Sequence, residues 1–197
     1  MSFRKEKKFK LSSSDSILVK SKLINSGMHE LHPKRLITSQ YFDTKNYKMF
    51  SESEEGVLPR KKIRVRWYNS SQDSLTFEEK TSSIEGRFKE TKKISSSDYN
   101  EMIESGISHN LYGMIFPSVL ISYEREYFSY ENVRITFDTN IRYQHYNSKI
   151  FLRDFEKVVE IKTPFNASDD FIERIFPTPT TRFSKYCRAF LLRDRII

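Results

Sequence analysis

Four short stretches of this chain set charged side chains against apolar ones with a period of two. Lys62, Arg64 and Arg66 interleave with Ile63, Val65 and Trp67, and Arg134, Thr136 and Asp138 interleave with Val133, Ile135 and Phe137. Glu160 and Lys162 flank Ile161, and Arg4, Glu6 and Lys8 share one parity near the start. Successive side chains of a strand point to opposite faces, so each stretch presents one charged and one apolar face. Closed on one another with the charged faces inward, such strands would make a basic tunnel suited to a polyanion.

The whole chain agrees in sign. Its 34 Lys and Arg against 26 Asp and Glu leave a net charge of +8, which attracts nucleic acid, anionic lipid or phosphate-rich small molecules without choosing among them. Spread over the surface, the same charges would be a solvated coat. Confined to one face of several strands, they repel one another and call for an anionic guest.

The elements that must position these residues can be read in order. Residues 3–11 predict a strand, and Ser12 to Asp15 starts a helix over about 13–26, with Ile17, Leu18, Leu23 and Ile24 toward one side and a stop at Gly27. Strands are expected at 36–42, 60–68, 75–81 and 87–94, the last two as a hairpin around Ser82 to Gly86, with a polar segment at Ser51 to Gly56 and a turn at Asn69 to Asp73. A second Ser-led helix opens at Ser95 and ends near Gly106. Strands follow at 119–128, 132–138, 156–162 and, more weakly, 149–155; a short helix begins at Ser168, and a last one runs from Phe183 to about Arg195. Helices covering the apolar strand faces make the expected class α+β.

With 197 residues the chain predicts one domain, residues 1–197. Only 5 Gly but 16 Phe and 11 Tyr point to a core in which aromatic rings supply much of the burial. A single cysteine, no leader-like start and no apolar run of membrane-spanning length predict a cytoplasmic protein with no membrane segment.

Eight ordered pieces resemble one family. They are the N-terminal Phe3 to Phe9, Tyr41-Phe42-Asp43-Thr44, Lys62 to Tyr68, Phe77-Glu78-Glu79-Lys80-Thr81, Tyr123-Glu124-Arg125, Val133 to Asp138, Val159-Glu160-Ile161-Lys162 and Arg182-Phe183-Ser184-Lys185-Tyr186. In this order they are similar to the vacuolar transporter chaperone (VTC) domain of the triphosphate tunnel metalloenzyme superfamily, which also holds the CYTH proteins. The resemblance implies a closed, eight-stranded antiparallel barrel with a polar, basic interior, flanked by a few helices. It also implies a polyphosphate polymerase, which moves the γ-phosphate of ATP onto a growing polyphosphate chain, with Mn²⁺ or Mg²⁺ as cofactor and ATP, triphosphate or polyphosphate as partners.

Carried over position by position, the resemblance gives Lys8, Arg64, Arg66, Lys80, Arg125, Arg134, Arg182 and Lys185 as phosphate ligands, Ser184 as a phosphate contact beside Lys185, and Glu160 as the metal ligand. Lys162, Glu6 and Glu78 lie in the same motifs. The chemistry is consistent: phosphoryl transfer depends on positioning and charge neutralisation, Arg forks onto phosphate oxygens, and Lys acts as a mobile point charge. One carboxylate suffices for such a cation because phosphate oxygens and water complete its shell.

Plainer readings exist for each piece. Arg64 and Arg66 could protect an edge strand, Glu160 with Lys162 and Glu78 with Lys80 could be ordinary ion pairs, Lys185 could sit on the polar side of the last helix, and Asp43 could cap a turn. His29, His32, His109 and His145 have no metal-ligand spacing, and Cys187 reads as a buried thiol. The chain also departs from the family. Arg4 stands where CYTH hydrolases begin Glu-x-Glu-x-Lys, Ser51 to Glu55 replace a basic contact of the fungal polymerases, and neither an SPX domain nor a membrane segment accompanies the motifs. Product translocation by this chain alone is therefore not expected. Two other functions remain open: an inorganic or nucleoside triphosphatase, and a non-catalytic polyanion-binding module. Basic strands without an aromatic stacking motif speak against nucleic acid.

Overall fold

The computed structural model describes residues 4–69, 71–164 and 168–193. Ten strands and five helices follow in chain order: β1 (Arg4–Leu11), α1 (Ser13–Asn25), β2 (His29–Asp43), α2 (Lys48–Glu55), β3 (Arg60–Tyr68), β4 (Leu75–Ser82), β5 (Arg87–Ile94), α3 (Ser96–Ser105), β6 (Ile107–His109), β7 (Gly113–Tyr130), β8 (Val133–His145), β9 (Phe151–Arg153), β10 (Lys157–Pro164), α4 (Asp169–Ile175) and α5 (Lys185–Arg193). The α+β class holds. The expected closed eight-stranded barrel is corrected: the strands form an open path β1-β10-β8-β7-β2-β3-β4-β5, with β6 on β7 and β9 on β8, and among the described residues β1 and β5 are not paired. Among the described residues no helix is long and apolar enough to cross a membrane.

The residues group into two compact units. The first draws on Met1–Arg35, Tyr123–Ile141 and Arg153–Phe183, the second on Leu36–Ser122, Arg142–Leu152 and Ser184–Ile197. In the first unit β1 and β8 pair antiparallel on either side of β10, with Phe9 opposite Val159 and Ile161 opposite Ile135. These apolar positions and Phe137 join Leu23 of α1 and Ile172 and Ile175 of α4 in one buried cluster, and Phe9 stacks on Phe176 at 4.8 Å. In the second unit Ile63, Val65 and Trp67 of β3 bury against Met49 of α2 and Tyr99 of α3. The alternation seen in the sequence is thus the burial pattern of the middle of β3: Ile63, Val65 and Trp67 lie in the core and Lys62, Arg64 and Arg66 are half-buried.

Local chemistry starts most helices where serines stand. Ser12 and Ser168 each accept from a backbone N–H at the helix start, and Ser95 forms a reciprocal capping box with Asp98. Cys187 N donates to Ser184 Oγ at the start of α5, whose expected extension to Arg195 lies outside the described residues.

Three expectations need correction. The polar segment at 51–56 belongs largely to α2, whose start is capped from a distance: Asp43 accepts from Met49 N at 2.9 Å and Phe50 N at 3.1 Å, and Thr44 Oγ1 accepts from Lys48 N at 2.9 Å. A cap supplied from the preceding strand leaves no Ser-led signal beside the helix. Along α1, Leu23 is buried, whereas Ile17 and Leu18 are 69% and 67% exposed and Ile24 is 46% exposed. The side shared by Ile17, Leu18 and Ile24 is therefore the outer side of the helix. Strands β2, β7 and β8 are each longer than predicted and contribute to both units, because polar stretches such as His29 to Arg35 keep backbone pairing without an apolar signature.

Candidate functional site

In the second unit, cross-strand register puts the charged side chains of three strands on one face. Arg64 faces Tyr41 on β2 and Glu78 on β4, Arg66 faces Ser39, Lys62 faces Lys80, and Lys80 faces Lys89 on β5. Glu78 is the buried anion at the centre. Arg64 reaches its Oε2 with Nε at 2.6 Å and Nη2 at 2.5 Å, Arg66 Nη1 lies 3.8 Å from the same oxygen, and Lys89 Nζ donates to Oε1 at 2.5 Å. Burial works to raise the Glu78 carboxyl, but Arg64, Arg66 and Lys89 outweigh it and hold it at about 2. At neutral pH one carboxylate orders a group of cations that outnumber it.

Aromatic rings stiffen this face. Arg64 Nη1 donates to Tyr41 Oη at 2.6 Å, Tyr41 stacks on Tyr186 at 4.9 Å, and the Tyr186 hydroxyl donates to Asp43 Oδ2. Burial raises the Tyr41 phenol, yet Arg64, Arg66 and Lys62 bring it below its ordinary value. Lys62 Nζ donates to Ser184 Oγ at 2.9 Å and sits 5.6 Å from the Tyr186 ring. Lys185 is half-buried at the start of α5.

The first unit carries its own charged face. Glu6 and Lys8 of β1 stand opposite Lys162 and Glu160 of β10, which stand opposite Arg134 and Thr136 of β8. Lys8 Nζ lies 3.3 Å from Glu6 Oε1 and 3.9 Å from Glu160 Oε2; Lys162 Nζ lies 3.0 Å from Glu160 Oε1 and 3.9 Å from Glu6 Oε2. Two ammonium groups thus bridge two carboxylates. Burial pushes the Glu160 carboxyl up, but Arg125, Lys8 and Lys162 hold it well below the usual carboxylate range. Arg125 forks onto Asp138, with Nε to Oδ1 at 2.5 Å and Nη2 to Oδ2 at 2.7 Å. Arg134 packs its guanidinium 5.4 Å from the Tyr127 ring, Lys8 also donates to Phe183 O at 3.3 Å, and Arg182 is exposed ahead of α5.

Among the described residues no group of three or more His, Cys, Asp or Glu side chains could enclose a metal ion. The donors nevertheless fit a hard divalent cation of the Mg²⁺ or Mn²⁺ kind. The Glu160 carboxyl is held in its charged form and Glu6 is a second carboxylate sharing Lys8 and Lys162 with it, and such ions keep water and phosphate oxygens in the rest of their shell. Three of the four histidines have separate neighbours: His145 Nε2 contacts Ala189 O at 3.0 Å, His109 lies 3.5 Å from Glu79, and His32 packs on Tyr127. Cys187 is buried, and burial raises its thiol.

Comparison with known families follows the same residues. The sequence profile of the VTC domain matches residues 3–192. The chain belongs to the VTC domain family. A comparison with curated proteins finds no match. Among solved structures, the VTC domain described here is similar to a candidate adenylate cyclase from Bacillus halodurans, with 16% identity, coverage of 91% of this chain and 92% of that one, and a TM-score of 0.59. A Pyrococcus horikoshii protein gives 17% identity, 97% and 100% coverage and a TM-score of 0.56. A candidate adenylyl cyclase from Hippeastrum, described as having a dominant triphosphatase activity, gives 14% identity, 95% coverage of both chains and a TM-score of 0.60. At these identities the likeness is one of fold.

Several participants of this VTC domain escaped the sequence reading. Lys89 was legible in principle, because a hairpin turning at Ser83 to Gly86 places it across from Lys80. Tyr41 and Asp138 stood inside quoted motifs, but their partners across neighbouring strands had no local signal.

Proposed function

We propose that the whole chain, residues 1–197, acts as a metal-dependent polyphosphate polymerase using ATP. Membership of the VTC domain family supports this reading. The observation that carries it is the face of β3, β4 and β5 on which Lys62, Arg64, Arg66, Lys80 and Lys89 share one side with Glu78 as the buried anion among them. Such a surplus of fixed cations stabilises the bound state only when a multiply charged anion joins it.

In the reaction, a terminal oxygen of the polyphosphate chain forms a bond to the γ-phosphorus of ATP. The bond from that phosphorus to the β,γ-bridging oxygen breaks, and ADP departs with the electron pair. Arg64 and Arg66 are assigned to grip phosphate oxygens, with Lys62, Lys80, Lys89 and Lys185 as point charges and Ser184 as a hydroxyl donor. Lys8, Lys162, Arg125, Arg134 and Arg182 are assigned the same role in the first unit, and Glu160, assisted by Glu6, is assigned to hold the divalent cation. When bound, that cation neutralises charge on phosphate oxygens. Glu78 orients Arg64, and Arg125 is kept in place by Asp138.

The Hippeastrum protein's triphosphatase activity favours a second reading, in which water replaces the chain end as attacking group. Incubation with γ-labelled ATP and Mn²⁺ separates the two. Long labelled chains support the polymerase, whereas labelled inorganic phosphate alone assigns the domain as a triphosphatase.

A further inference from the structure

Thr136 lies on the first unit's charged face, between Arg134 and Asp138 along β8. It is 1% exposed, and its hydroxyl is a buried oxygen without a hydrogen-bond partner among the described residues. Register places it directly opposite Glu160 on β10, which in turn lies opposite Lys8 on β1. Two residues along β8 on the same face, Arg134 Nε is also buried without a partner. Asp138, two residues the other way, is held by Arg125. A buried hydroxyl without a partner carries the desolvation cost of a polar group, while valine would fill about the same volume on the same strand without it. The shape of the side chain therefore does not account for the hydroxyl; its place among the charged groups of this face, opposite Glu160, points to a ligand atom.

We propose that Thr136 is a ligand-binding residue whose hydroxyl donates to a non-bridging oxygen of a bound triphosphate. This rests on the phosphate-binding reading given above and adds a neutral donor to it. Among the cations Lys8, Lys162, Arg125 and Arg134, a hydroxyl contributes direction without further like-charge repulsion, and it stays protonated at any working pH.

Thr163 supplies an internal control. Its hydroxyl is equally buried and without a partner, but it sits on the opposite face of β10 with Val159 and Ile161. The experiment uses the full chain and sodium tripolyphosphate, with affinity from calorimetry and unfolding midpoints without ligand for wild type, Thr136→Val, Thr136→Ser and Thr163→Val. The expected result is that Thr136→Val unfolds at or above the wild-type midpoint yet binds about tenfold more weakly, while Thr136→Ser and Thr163→Val bind as wild type does. Wild-type affinity in Thr136→Val overturns the assignment, and so does a lowered ligand-free midpoint, which would make the hydroxyl structural. Wild-type protein that does not bind tripolyphosphate overturns the functional reading itself and the assignment with it.

Discussion

Tyr41 and Arg64 stand opposite each other on β2 and β3, and Arg64 Nη1 donates to Tyr41 Oη at 2.6 Å while the same guanidinium reaches Glu78. The guanidinium is thereby fixed on two sides before any ligand arrives. Removing only the hydroxyl, as in Tyr41→Phe, keeps the stack on Tyr186 and frees one side of the fork. The expected outcome is a loss of about 1–2 kcal/mol in urea unfolding and weaker binding of ATP. Unchanged binding would detach the phenol from the positioning of Arg64.

Arg64→Ala tests the cation itself. Relief of like-charge crowding would by itself raise stability. The structure reverses that sign, because Arg64 is a main partner of a buried carboxylate, which would be left with Lys89 at 2.5 Å and Arg66 at 3.8 Å. Destabilisation of about 2 kcal/mol is expected together with loss of triphosphate binding. A variant more stable than wild type would show that repulsion outweighs the Glu78 pair.

The same carboxylate gives a pH prediction. Glu78 titrates at about 2 when folded, against 4.5 for its unpaired value, so its contribution is complete above about pH 4.5 and is lost as pH falls through 2. The size is about 3 kcal/mol. Glu78→Gln should therefore lower stability at neutral pH and flatten its decline between pH 4.5 and 2, measured by urea midpoints at a series of pH values. Asp43 contributes with the opposite sign: burial raises its carboxyl despite the bonds from Tyr186 and the α2 amides, so its contribution favours folding at low pH and fades as pH rises.

Asp43 also predicts a local effect. Asp43→Ala removes the acceptor for Met49 N, Phe50 N and the Tyr186 hydroxyl at once. A loss of about 3 kcal/mol is expected, with faster hydrogen exchange concentrated at the start of α2. Uniform exchange across the second unit would contradict the capping role.

Glu160→Gln addresses the metal. It keeps the shape of the side chain but removes the negative charge that pairs with Lys162 at 3.0 Å. Activity that responds to Mn²⁺ should disappear while tripolyphosphate still binds without metal. Undiminished Mn²⁺ stimulation would remove Glu160 from the metal site.

Alternation of charged and apolar residues by itself determined the strand faces of β3, β8 and β10, because a strand's side-chain period is two wherever one face is buried. The serines at 12, 95 and 168 marked three helix starts, since a hydroxyl satisfies nearby amide groups without help from the rest of the chain. The order of eight motifs was enough for the family. Tertiary structure alone decided which cation meets which anion: Glu78 takes Arg64 and Lys89, Arg125 takes Asp138, and Asp43 caps a helix across the Thr44 to Tyr47 turn. It alone left Ile17 and Leu18 in solvent and Thr136 without a partner. Those outcomes depend on register between strands distant in sequence and on desolvation at each contact, and neither is written in the spacing of residues along one strand.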